Sequence, residues 1–312
     1  MTTDRVPTVL ALSSCLLAWP ASLTAADLNP ATVKAFDEYI RRKEAHLRDQ
    51  VSSRPFLWAD QAPGRKQQLR EGKILTESSG DPATLKVPDG LIHDWLGAVF
   101  IPGVTVLRTL NLVQDYEHHA DFYKPEVIGS KILEHNGVDY KIFLRLKKQK
   151  VLTVVLNTEH AVHYGRINET TWRSRSYSTH IAEVENPGKA DEHELPVGKD
   201  HGFLWRLDSY WRFEEKDGGV YVECEAVSLT RKVPAGLGWL IDPIIRDLPR
   251  ESLFNTLQAT RSHLLRKIIG LRAAIRAYIA IDDMGISHGG PAGYSTANTH
   301  RDQTARGRTR LT

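Results

Sequence analysis

The chain has 312 residues, 41% hydrophobic and 25% charged, the balance of a globular protein with enough length to bury a sizeable core. A net charge of +3 is too near neutral for a nucleic-acid partner, and the arginine excess is concentrated from Arg261 onward. Two cysteines, Cys15 and Cys224, exclude a multi-disulfide scaffold.

Arg5 precedes an apolar stretch, Val6 to Leu17, and the small-residue run Ala21 to Ala26 follows. Thr24 and Ala26 fit the small-x-small rule for a cleaved signal peptide, so residues 1–26 are expected to be removed during export to the periplasm or the medium. A retained membrane anchor, or lipidation at Cys15 within Leu12-Ser13-Ser14-Cys15, are the alternatives. Cleavage would leave Cys224 as the sole thiol, in a strand pattern where it reads as a small buried hydrophobe.

Residues 27–71 read as an N-terminal helical extension. Val33, Phe36, Ile40 and Leu47 fall near one face of a helix over 32–50, with charges between. The main domain is placed at 72–268. Leu91 to Ile101 is strand-like, and Thr105 to Phe122 carries apolar residues at Val106, Leu110 and Val113, a helical spacing. Strands are predicted near 127–135, 138–147, 151–164 and 170–184, with Asn136-Gly137 as a hairpin turn.

The clearest alternation runs from Phe203 to Lys232. Phe203, Trp205, Leu207, Trp211 and Phe213 point one way, and Arg206, Asp208, Tyr210, Arg212 and Glu214 the other. After Asp217-Gly218-Gly219, Val220, Val222, Cys224 and Ala226 oppose Glu223 and Glu225. Such period-two patterning predicts a sheet with one buried and one wet face. Pro249 is taken as the first residue of a final helix through Leu253, Leu257 and Leu264. Residues 269–312 read as a basic helix extension and a disordered tail.

No constellation here marks chemistry. His160 and His163 fall on opposite faces of a strand, and Asp115, His118 and His119 read as the polar end of a helix, so no metal and no cofactor are expected. Trp172, Ser174, Ser176, Ser178 and His180 alternate onto one strand face, a hydroxyl stripe able to orient a polar ligand group. Neither a nucleophile elbow nor a phosphate loop is present.

The segment Gly218 to Arg231, then Pro234-Ala-Gly-Leu-Gly-Trp-Leu and a helix opening Leu248-Pro-Arg-Glu-Ser-Leu, resembles the end of START-like (SRPBCC, helix-grip) domains in exported bacterial proteins. The resemblance spans roughly Leu91 to Leu265. It implies an α+β fold: a curved antiparallel sheet wrapped around a long C-terminal helix, here with an extra N-terminal helix. Between sheet and helix such folds hold a cavity for a hydrophobic small molecule or lipid, the partner expected here.

The expected ligand-binding residues are Tyr140, Trp172, Ser176, His180, Trp205, Trp211 and Phe213, with solid core packing as the alternative for each. The leading expectation is an exported binding or carrier protein. One alternative is a cyclase/dehydratase- or hydrolase-like enzyme using His180, His163 or a carboxylate. Another is a scaffold making peripheral membrane contact through the basic C-terminal segment.

Overall fold

The computed structural model describes residues 26–52, 55–80, 84–149, 153–232 and 238–283. The apolar leader and the tail beyond residue 283, on which the export and disorder expectations fall, lie outside the described residues. The chain divides into two compact units, 1–268 and 269–312; the described part of the second, 269–283, is helical.

In chain order the elements are β1 (Ala26–Asp27), α1 (Pro30–Ser52), α2 (Arg65–Arg70), β2 (Leu75–Ser78), β3 (Thr84–Val87), β4 (Gly90–Pro102), α3 (Val106–Val113) and α4 (His119–Phe122). There follow β5 (Val127–Asn136), β6 (Asp139–Gln149), β7 (Thr153–Arg166), β8 (Thr171–Glu185), β9 (His193–Glu194), β10 (Lys199–Asp200), β11 (Arg206–Lys216), β12 (Gly219–Arg231) and α5 (Gly238–Asp283). The main sheet runs β2–β4–β12–β11–β8–β7–β6–β5, antiparallel at each of these contacts. This is an α+β helix-grip arrangement, with the extra N-terminal helix that the sequence indicates.

Turn chemistry sets the hairpins. Lys216 pairs with Gly219, so Asp217 (φ +56°) and Gly218 (φ +76°) form a two-residue loop with both residues left-handed, as a type I′ turn requires. The β5–β6 loop is shifted one residue from the expected Asn136-Gly137. Asn136 still pairs with Asp139, and only Gly137 has positive φ, +60°. That is the position a type II′ turn reserves for glycine.

Two helix boundaries differ from expectation. The predicted helix over 105–122 breaks into α3, a 3₁₀ turn at 116–118 and α4, because Asp115 leaves the helical region (φ −79°, ψ 62°). Thr105 caps α3 by accepting from Arg108 N, and Glu215 accepts from Val106 N at 2.8 Å. The final helix starts at Gly238, so Pro249 lies inside it rather than at its first residue.

The inner face of the sheet packs against α5. Leu253 and Leu257 are buried over Gly97 of β4, where a Cβ would meet Leu257 Cδ1 at 2.6 Å. Burying each leucine contributes roughly 2 kcal/mol. Val99, Phe213, Val222 and Leu264 join the same core.

The outer face corrects an expectation. Asp208, Tyr210, Arg212, Glu223 and Glu225 alternate outward as predicted, yet all are buried rather than wet. The reason is cover. Phe36 and Ile40 of α1 pack on Ile92, Tyr210, Val227 and Leu229. Leu57, Ala59 and Leu69 pack on Ala98, Phe100 and Tyr221.

Glu223, Glu225 and Asp94 beneath this cover are paired. Glu223, 1% exposed, accepts from Arg212 Nε (2.9 Å) and from the backbone N–H groups of Trp58 (3.0 Å) and Ala59 (2.9 Å). Lys43 of α1 reaches Glu225 (2.5 Å) and Asp94 (2.6 Å), and Tyr39 donates to Asp94 at 2.6 Å. Burial works to lower the Lys43 pKa, but Glu225 and Asp94 hold it above its ordinary value.

Candidate functional site: a cavity under the C-terminal helix

The seating of α5 is asymmetric. It touches the sheet at Gly97 on β4, and a cavity of about 940 Å³ lies between the helix and the strands from β5 to β12. The volume comes from small side chains on the floor. In register across β8, β11 and β12 stand Ser176, Ser209 and Ala226, and one row on Ser174, Trp211 and Cys224. Ile142, Leu144, Leu146, Val154, Leu156 and Val162 make an apolar wall from β6 and β7.

One end is closed by hydroxyls. Tyr116 and Tyr164 share a hydrogen bond of 2.7 Å, and His119 Nε2 meets Val113 O at 3.1 Å. Burial raises both tyrosines above their ordinary range and pushes His119 down to about 4. All three are therefore neutral at pH 7. Tyr123 OH lies 3.1 Å from Thr260 Oγ1 of α5.

The other end holds a polar latch between sheet and helix. Lys148 pairs with Glu126 and donates to Ser252 Oγ of α5 at 2.6 Å, while Asn255 Nδ2 donates to Glu126 at 2.8 Å. Burial pulls the Lys148 pKa down, against the opposing pull of Glu126.

The expected ligand residues divide. Ser176, Trp211 and Phe213 line the cavity, the last two stacked at 6.0 Å between ring centres. Tyr140 and Trp172 are in register with the inward Val162 and Phe213, but they pack against the core beyond the cavity's lining. Tyr140 stacks on His135 at 4.1 Å and meets Tyr116 at 5.4 Å.

Trp205 and His180 are on the wrong side. Trp205 precedes the first residue of β11, donates to Asp200 at 2.9 Å and joins the outer cluster beneath α1. The alternation begun at Leu207 does not extend back to it. His180 follows a bulge: His160 pairs with Ser178 and Glu159 with His180, which leaves Thr179 as the extra residue. One inserted residue reverses the side-chain phase. His180 therefore shares the outer face with Glu159 and pairs with Glu194 at 3.2 Å.

Several lining residues escaped selection. Ser209 is in phase with Leu207, Trp211 and Phe213, so alternation alone would have found it. In the sequence His160 reads as a candidate metal ligand and not as a lining residue. Glu126 and Lys148 carried no sequence signal, since their meeting depends on β5, β6 and α5 converging. Among the described residues no three His, Cys, Asp or Glu side chains converge on a metal geometry.

No protein-family model and no curated protein matches the chain. Among solved structures it is similar to a STAR-related lipid transfer protein fragment from Xanthomonas axonopodis, at 17% identity and TM-score 0.39, covering 58% of this chain and 97% of that one. It is also similar to a START superfamily protein from Mycobacterium smegmatis (14%, TM-score 0.38, 56% and 98% covered). A third is the di-domain ARO/CYC protein StfQ from the steffimycin biosynthetic pathway (12%, TM-score 0.38, 57% and 52% covered). The topology of the chain itself, an antiparallel sheet packed over one C-terminal helix with a cavity between, is a helix-grip fold.

Proposed function

We propose that the protein binds or carries a hydrophobic small molecule or lipid in the cavity beneath α5, and that it does so outside the cytoplasm. The observation that carries the binding reading is the cavity itself. At about 940 Å³, with an apolar wall and a few placed polar groups, it falls within the range of small-molecule sites. The export half rests on the sequence of residues 1–26 alone.

Solvent extraction and mass spectrometry of the purified full chain test this reading. A co-purifying apolar compound, or uptake of an added one that is lost in Ala226→Leu, is the expected result. A protein that carries nothing and takes up no apolar probe overturns it.

One observation favours a second reading, a cyclase/dehydratase- or hydrolase-like enzyme. Tyr116, Tyr164 and His119 come together at one end of the cavity. Burial keeps the tyrosines protonated and makes His119 a weak base, with its Nε2–H already given to Val113 O, so the three groups are better suited to hydrogen bonding than to proton abstraction. Binding is therefore the reading the geometry supports best.

A further inference from the structure

The cavity floor holds polar groups that have no hydrogen-bond partner among the described residues. Ser174 and Ser228 are each 6% exposed and line the cavity, as do Ser176 and Ser209. None of these four hydroxyls hydrogen-bonds to another described residue. His160, 4% exposed, bonds through Nε2 to Thr158 Oγ1 at 3.0 Å, and no hydrogen bond engages its second ring nitrogen among the described residues.

Strand register gathers these groups. Ser176 stands directly opposite Ser209, and His160 lies one row away beside Ser178. Ser174 is one row on in the other direction, beside Trp211, and Ser228 is beside Leu207. Opposed pairs are about 5 Å apart and diagonal neighbours about 7–8 Å, so the patch spans the centre of the floor. None of these hydroxyls is among the fully occluded unpartnered polar atoms of the described residues, so they open onto the volume of the cavity rather than onto packed side chains.

The charge balance restricts what would fit. Lys148 and Glu126 neutralise one another at the latch, and Lys124 and Arg266 are exposed. The floor carries no charged side chain. Burial pushes His160 down to about 4, which leaves a neutral ring able to give or accept one hydrogen bond. An anionic group over these serines would lose water without gaining a counter-ion.

We infer that Ser174, Ser176, Ser209, Ser228 and His160 form the polar subsite of the cavity, which takes a neutral hydroxyl or carbonyl oxygen on an otherwise apolar ligand. This rests on the binding function proposed above and names its ligand class.

Fluorescence titration of the full chain with three matched probes, pyrene, pyrenemethanol and pyrene carboxylate, tests it. Pyrenemethanol is expected to bind roughly three- to tenfold tighter than pyrene, the size of one net hydrogen bond, and the carboxylate more weakly than either. The double variant S176A/S209A should lose that preference with the pyrene Kd unchanged. If the double variant fails a thermal-unfolding check, Ser176→Ala and Ser209→Ala singly should each lose part of the preference.

Equal binding of pyrene and pyrenemethanol, a preference that survives the substitutions, or tightest binding of the carboxylate each overturns the subsite while leaving cavity binding intact. Failure of all three probes to bind overturns the cavity reading itself, and the subsite with it.

Discussion

The two faces of one sheet solve opposite problems with the same alternation. Inward, β8, β11 and β12 present Ser176, Ser209 and Ala226, neutral and small, beneath a helix that stands off and leaves space. Outward, the same strands present Arg212, Glu223 and Glu225, charged and large, beneath a cover that leaves none. Burial of polar groups is thus common to both faces, but on these three strands the charged side chains lie on the outer one. The lesson is that alternation reports which face a residue takes and says nothing of what lies on that face.

The largest test of this contrast is Glu223→Ala. It removes the buried carboxylate that accepts from Arg212 Nε and from two backbone N–H groups beneath the cover, and should cost about 3–5 kcal/mol of stability. Urea unfolding measures it. A loss near zero would mean the outer charges are not a paired, dry layer.

Asp208 gives a pH-dependent test of the same face. Burial raises its pKa to about 7, against the pull of Arg175, while the unfolded chain titrates near 3.8. Between those values the folded state holds more protons than the unfolded one, so this group makes stability fall as pH rises, with the full loss above about pH 7. Asp208→Asn removes that loss. The gain over wild type should be near zero below pH 4 and ~4 kcal/mol at pH 8. An equal difference at both pH values would show that Asp208 does not titrate this way.

The smallest effect is expected at the rim. His180 pairs with Glu194 on the surface, so His180→Ala should change stability by less than about 0.5 kcal/mol and leave probe binding unchanged. Weakened binding would return His180 to the cavity and contradict the bulge at Thr179.

Much of the fold was legible because it depends on local signals. The Asp217-Gly218 turn, the alternation on β11 and β12 and the apolar stripe of α1 all lie within short windows. The cavity was legible only as a consequence of fold. Trp211 and Phe213 were found by phase, and Ser176 by its place in the hydroxyl stripe. Trp205 and His180 were lost where phase breaks, one before its strand begins and the other after a single inserted residue. No local pattern encodes a bulge that involves no glycine or proline. The cover on the outer face was equally hidden, because α1 and Glu225 are far apart in sequence and meet through Lys43.

The contact of α5 with Gly97 has a consequence for selectivity. With the helix held along one border of the sheet, the room beneath its free side is governed by a few side chains rather than by the path of the backbone. Replacing Ser176, Ser209 or Ala226 with something bulkier would shrink the compartment stepwise, leaving strand register and helix seating as they are. The size of the cavity is therefore open to retuning by single substitutions, with no change in topology.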